Sequence, residues 1–219
     1  MAKQKVIKNN KFKNAFKIAA AALCAAAIVA IVIITGRQNA DKAEKTLNTT
    51  VMGTTASITV YGRNGSDIID DIMDLENNLD EKVISWRSDG SEVWNINHSY
   101  KAGEDYQISD ELADVLERTL EISEDNGDLL DITIRPLAEV WGIESGSTNV
   151  PSQTDIDAAL SDVDVTQVTC ISAKNSSDGK SYVNIAREGM SLDFGAVGKG
   201  YGCDVAADYL EAVSYTHLR

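Results

Sequence analysis

Three glycines at G-x-x-G-x-G spacing, Gly195, Gly198 and Gly200, follow the apolar stretch Met190–Leu192 and the acid Asp193. That order constrains the chain more than any other stretch in it. Met190–Leu192 predicts a short strand, and Val205, Ala206, Ala207, Tyr209 and Leu210 predict a helix beyond the glycines. Strand, glycine loop and helix start together form a general anion-binding device. Glycines let a ligand approach the backbone, and a helix start offers unpaired N–H groups. Lys199 adds a mobile positive charge suited to a phosphate. Asp193 stands at the strand end, placed to bind a hydroxyl, a base edge or a metal ion. The plain alternative is that the glycines serve a turn or a tight helix–strand contact.

Three familiar motifs are excluded here. Asp193-Phe194-Gly195 reads as a kinase DFG, yet no H-R-D loop or V-A-I-K strand accompanies it. Gly198-Lys199-Gly200 lacks the spacing and the following hydroxyl of a P-loop. The glycine order also differs from the G-x-G-x-x-G of dinucleotide-binding sheets.

Charge is distributed unevenly along the 219 residues. Residues 1–40 hold six lysines, Arg37 and no acid, whereas the remainder carries 13 basic and 34 acidic residues, a net of −21. Such a domain repels nucleic acid, whose binding rests on neutralised phosphates. A phosphate ligand is equally disfavoured unless a cation intervenes. The three cysteines, Cys24, Cys170 and Cys203, form no C-x-x-C or Cys/His cluster and read as unpaired apolar residues.

Lys3 to Lys17 precede an unbroken apolar run, Ile18–Ile34, near the minimum length of a membrane span. With the lysines in the cytoplasm, the rest of the chain is expected outside it. The expected layout is a basic leader (1–17), a membrane anchor or uncleaved signal (18–34), a polar linker (35–50), one mixed αβ domain (51–213) and a foreign tail (214–219). Within the domain, Thr55–Tyr61 alternates as a strand, and Ser66 could cap a helix through Ile68, Ile72, Leu75 and Leu79. A polar loop, Ser85–Val93, carries Trp86, whose ordinary role would be core or half-buried surface. His98 reads as a surface histidine. Ser109 should cap a second helix that Gly127 ends, and Thr154 with Asp157 a third through Leu160. Val165–Ile171 and Tyr182–Ile185 predict a hairpin. Asp131-Ile132-Thr133 before Pro136 reads as a surface turn. The fold class is therefore α+β.

Four separated pieces stand in one order: Met52-Gly53-Thr54 before a strand; Ser85-Trp86 with Ser91-Glu92 and Asn97; Asp131-Ile132-Thr133 with Pro136-Leu137 and Trp141-Gly142; and Asp193 with Gly195, Gly198-Lys199-Gly200-Tyr201 and Asp204. Together they resemble the ApbE family of FAD:protein FMN transferases over roughly residues 50–210. The resemblance implies an exported, Mg²⁺-dependent enzyme of ApbE-like fold. It would move FMN from FAD onto a threonine or serine hydroxyl of a partner protein and release AMP. The partner expected is a membrane-associated electron-transfer protein. Matched position by position, Met52, Trp86, Leu129, Leu130, Asp131, Asp193 and Lys199 would meet FAD, Asp193 is the catalytic residue, and Ala196 would offer its backbone carbonyl to Mg²⁺. The acid-rich balance then fits, because a metal ion would offset phosphate charge.

Two departures qualify this expectation. The family's chain runs on by about a third of its domain and carries its side-chain metal ligands there, and Val213–Arg219 resembles read-through rather than family sequence. The chain as it stands is therefore expected to be incomplete at its C-terminus and unable to complete transfer. Arg135 is also bulkier than the small residue expected before the proline. Two other readings remain: an exported FAD-binding protein or FAD pyrophosphatase with no protein acceptor, and a tethered structural module with no ligand.

Overall fold

The computed structural model describes residues 26–36, 44–62 and 64–213. The basic leader, the first half of the apolar run, Cys24 and the expected foreign tail lie outside the described residues. The chain divides into two compact units, Met1–Asn48 with Ser57–Ile69, and Thr49–Ala56 with Asp70–Arg219.

In the first unit, residues 26–36 form a helix with exposed apolar side chains. No helix among the described residues is long and apolar enough to cross a membrane. Val60, Ile68 and Ile69 are this unit's buried apolar residues. Strands β1 (Glu44–Val51) and β2 (Thr54–Tyr61) pair as a two-stranded sheet. Residues 44–50, expected as linker, are therefore strand. Their polar alternation, with Leu47 the one large apolar residue before Val51, carries too little apolar signal to announce it.

Helix α1 (Gly65–Asn78) runs directly into a π-helical turn, Leu79–Ile84. Ser66 thus lies inside the helix instead of capping it. Leu79, Val83 and Ile84 of the turn are buried. Helix α2 (Glu92–Ser99), which the sequence reading passed over, starts at Ser91, whose side chain accepts from the Trp94 N–H. Strand β3 (Asp105–Ile108) follows, and then helix α3 (Asp110–Asp125), capped by Ser109 as expected through the Leu112 N–H. Gly127 leaves that helix at φ 72°, a conformation glycine adopts without cost.

Helix α4 (Arg135–Val140) has Pro136 in its first turn, where a missing N–H costs nothing. Helix α5 (Gln153–Leu160) is capped by Ser152 rather than by Thr154. The expected strand from Val165 is a 3₁₀ turn (Val165–Gln167) followed by β4 (Val168–Ile171). With β5 (Ser181–Ile185) it makes the predicted hairpin, and β3 joins on the other side of β5, giving an antiparallel sheet ordered β3-β5-β4. Val183 and Ile185 of the central strand face a core shared with Leu112, Leu116, Ile132, Leu192 and Phe194. Helix α6 (Gly198–Ala212) closes the described chain. Cys170 and Cys203 are free thiols, and burial pushes the Cys170 thiol up to about 12.

Candidate active site

Leu192 and Phe194 are buried in the core, so the acid between them is held at its surface. Met190–Leu192 is not a full strand: Ser191 makes one parallel bridge, to Ile134, and the Asp193 N–H donates to the Ile132 carbonyl at 2.7 Å. The 131–134 segment thereby fixes the approach to the glycines. Helix α6 begins at Gly198, seven residues earlier than the apolar pattern suggests. Two of its glycines are packing devices. A Cβ on Gly198 would come within 2.6 Å of Ile84 Cδ1, and one on Gly202 would collide with the Glu76 carboxylate. Gly200 faces open space. In the turn before the helix, the Gly195 N–H donates to Asp193 Oδ1 at 2.8 Å, and Lys199 Nζ donates to the Gly195 carbonyl at 3.3 Å.

Met52, Trp86, Gly195, Gly198 and Lys199 line one concavity of about 40 Å³ with Asp80 and Ile84. Residues almost 150 positions apart are so brought together. Met52 and Gly53 are the two residues between β1 and β2, at φ 49° and 67°. Both signs are those of a type I′ hairpin turn, which favours Asn-Gly or Asp-Gly. A methionine there carries strain of about 1–2 kcal/mol. Its N–H donates to Asp80 Oδ2 at 2.9 Å, from the π-helical turn.

Trp86 is half-buried, and two guanidinium carbons approach its ring centroid, Arg135 at 3.1 Å and Arg87 at 4.3 Å. Arg135 is 8% exposed. It pairs with Glu139 at 2.9 Å and Glu144 at 3.0 Å, and its Nη1 lies 4.0 Å from Asp193 Oδ2. Arg87 meets the same Glu144 oxygen at 2.9 Å. The bulky residue before the proline is thus accommodated as the hub of an ion-pair network behind the site. Trp86 and Arg135 also line a second cavity of about 440 Å³, whose rim includes Glu139 and Glu188.

Leu129–Asp131 stands differently. Leu129 and Leu130 donate their N–H groups to Asn126 Oδ1, and the Leu130 carbonyl accepts from Ser123. Asp131 accepts from the Thr133 N–H and hydroxyl at 2.7 and 2.5 Å and from the Val165 N–H at 3.0 Å. Ile132 and Thr133 are buried, so the expected surface turn is an internal knot. None of these three residues lines the small concavity. Asp193 borders it through Gly195, and Ala196 is exposed beside it. Among the described residues no group of three or more His, Cys, Asp or Glu side chains could hold a metal ion. One backbone carbonyl at Ala196 does not make the oxygen shell that Mg²⁺ needs. The sequence reading missed Asp80 and the cationic role of Arg135. Asp80 sits among other helix acids, Asp70, Asp71 and Asp74, and no local pattern marks it.

A family model described as the ApbE family matches residues 52–218. The FAD:protein FMN transferase of Escherichia coli (strain K12) is 26% identical over 134 residues, covering 60% of this chain and 37% of that protein. A crystal structure of the ApbE protein of Thermotoga maritima superposes with a TM-score of 0.64 at 25% identity, over 75% of this chain and 51% of that one. The flavin transferase ApbE of Vibrio cholerae shares the fold, with a TM-score of 0.67 at 22% identity over 78% of this chain and 54% of that one. The chain therefore spans about half or less of the length of these proteins.

Proposed function

The chain belongs to the ApbE family, and on that footing we propose that it binds FAD as a flavin donor and serves the transfer of FMN onto a threonine or serine hydroxyl of a partner protein. The observation that carries the proposal is the convergence of Met52, Trp86, Gly195 and Lys199 on one concavity. Those residues come from three of the four sequence pieces that resemble the family.

In this reading Met52 and Trp86 contact the flavin. Lys199, held only by an exposed 3.3 Å contact, turns from the Gly195 carbonyl to the pyrophosphate. The concavity is too small to enclose a flavin, so the ligand would lie across it and displace Arg87, the more exposed of the two arginines on Trp86. Phosphoryl transfer asks for positioning and charge neutralisation more than for a protein nucleophile. The acceptor's hydroxyl oxygen bonds the phosphorus of the FMN half, the pyrophosphate P–O bond breaks, and AMP leaves with the electron pair. Asp193 Oδ2, with no donor among the described residues closer than Arg135 at 4.0 Å, is the carboxylate oxygen available to take the hydroxyl proton. Magnesium would neutralise phosphate charge when bound, and the described residues do not form its shell.

The same proposal places the acid-rich domain outside the cytoplasm, anchored through Ile18–Ile34, with a membrane-associated electron-transfer protein as acceptor. Its support is the lysine-rich start and the acid-rich remainder of the sequence. Protease added to intact cells should digest the domain, and protection until lysis would contradict this placement.

FAD titrated into the chain should bind saturably. In a version extended with the matching remainder of the Escherichia coli relative, FAD, Mg²⁺ and a threonine-bearing acceptor should yield covalent flavin by in-gel fluorescence, with AMP released in equal amount. AMP and free FMN without covalent flavin would identify an FAD pyrophosphatase instead. Absence of FAD binding would overturn the proposal.

A further inference from the structure

We propose that Asp80 is a positioning residue that holds Met52 over the concavity in its left-handed conformation, and that the π-helical turn Leu79–Ile84 exists to make this latch. The inference rests on the flavin reading of the site and deepens it. Two independent observations carry it. The first is the backbone outlier itself. Met52 is one of two non-glycine residues with positive φ among the described residues, and it occupies a hairpin position where glycine, asparagine or aspartate would be at ease. Strain of this kind persists only where surrounding structure over-determines it, and it gathers at ligand sites. The second is what holds it. The Met52 N–H donates to Asp80 Oδ2 at 2.9 Å across 28 residues of sequence, and the group is part-buried.

The π-helical turn explains how one segment supplies both supports. Asp80 points from it to the hairpin turn, while Ile84, four residues on, packs where a Cβ on Gly198 would stand, at 2.6 Å. Met52 Sδ lies 3.9 Å from that same point. An extra residue per turn turns side chains away from ordinary helical register, and such turns recur at functional sites. Asp80, Ile84, Gly198 and Met52 therefore form one contiguous support. It presents the methionine thioether beside Gly195 and Lys199, where a sulfur can meet the edge or face of a planar ring. Glu76, one helical turn before Asp80, packs against Gly202 of helix α6, so its carboxylate is engaged elsewhere than at the Met52 N–H.

The experiment compares the full chain with Asp80→Ala, Asp80→Asn and Met52→Gly. The readouts are FAD affinity by fluorescence titration, hydrogen exchange at the residue-52 amide, and melting temperature. Asp80→Ala should weaken FAD binding by about tenfold or more and speed exchange of the Met52 amide by a similar factor, the scale of a hydrogen bond to a charged acceptor. Asp80→Asn keeps an acceptor oxygen and should recover most of both. Met52→Gly should melt no lower than the parent, because glycine accepts the turn's φ, yet bind FAD more weakly; a merely structural latch would not split the two readouts. If Asp80→Ala does not fold, the Met52→Gly arm decides. Equal FAD affinity in the parent and Met52→Gly, or unchanged exchange of the Met52 amide in Asp80→Ala, overturns the inference. A parent chain that binds no FAD overturns the flavin reading as well, whereas a parent that binds FAD and an Asp80→Ala variant that matches it sink the inference alone.

Discussion

Asp131 and Asp193 lie on neighbouring segments joined by the Ile134–Ser191 bridge, and each follows an apolar stretch in the sequence. Their surroundings differ. Asp131 spends both oxygens inside the chain, on Thr133 and Val165. Asp193 uses Oδ1 on the Gly195 N–H and leaves Oδ2 4.0 Å from Arg135. The same residue type in the same sequence setting is thus a structural knot in one segment and an open acceptor in its neighbour. The following turn aims one backbone N–H at each carboxylate; what separates them is that Asp131 gains two more donors, the Thr133 hydroxyl and the distant Val165 N–H.

The largest expected effect breaks the knot. Asp131→Ala removes three hydrogen bonds to one carboxylate and strands the donors of a fully buried Thr133. It should destabilise the chain by about 3–4 kcal/mol, read as a lowered urea midpoint at unchanged slope. Asp193→Ala should leave that midpoint within about 1 kcal/mol of the parent and weaken FAD binding by about 1.5–3 kcal/mol, read by fluorescence titration. A comparable stability loss in both variants would erase the distinction between the two acids.

Much of the fold was legible from the sequence where apolar spacing was strong. The Ile68–Leu79 and Leu112–Leu120 patterns give α1 and α3, and Val168–Ile171 with Ser181–Ile185 give the β4–β5 hairpin. Legibility failed where a tertiary demand overrode local preference. Gly198, Gly200 and Gly202 read as loop because glycine disfavours helix interiors. Two of them are glycine inside a helix because Ile84 and Glu76 occupy the space a side chain would need. Strand β3 offers Ile108 as its only buried side chain, and β1 is nearly all polar, so neither announces itself. The resemblance named Met52, Trp86 and Lys199, which line the concavity, and Asp193, which borders it through Gly195. The Asp80–Met52 bond spans 28 residues and follows from a π-helical turn that no periodicity reveals.

Smaller changes sharpen the comparison. Lys199→Ala should weaken FAD binding by about 0.5–1 kcal/mol, less than Asp193→Ala, since an exposed ammonium is well solvated without its ligand. A larger loss than that of Asp193→Ala would make the lysine, not the acid, the anchor. The smallest effect concerns Glu76. Burial, and next the charge of Asp80, hold its carboxyl above the ordinary 4.5. The folded chain therefore keeps that proton to higher pH than the unfolded chain does. Stability contributed by Glu76 is present at acid pH and is lost as pH rises from the ordinary value through the raised one. Glu76→Gln cannot lose a proton, so it should melt like the parent near pH 4 and slightly higher than the parent at pH 7. Parallel melting curves at both pH values would show that Glu76 ionises freely.

Where FAD touches the chain is read most directly from amide chemical shifts in a titration with FAD. Met52, Gly53, Trp86 and residues 193–199 should shift together and saturate with one dissociation constant, while Thr133, Val165 and Asn126 at the Asp131 knot stay in place. Shifts centred instead on the Asp131 knot, or confined to the cavity beside Glu188, would contradict it.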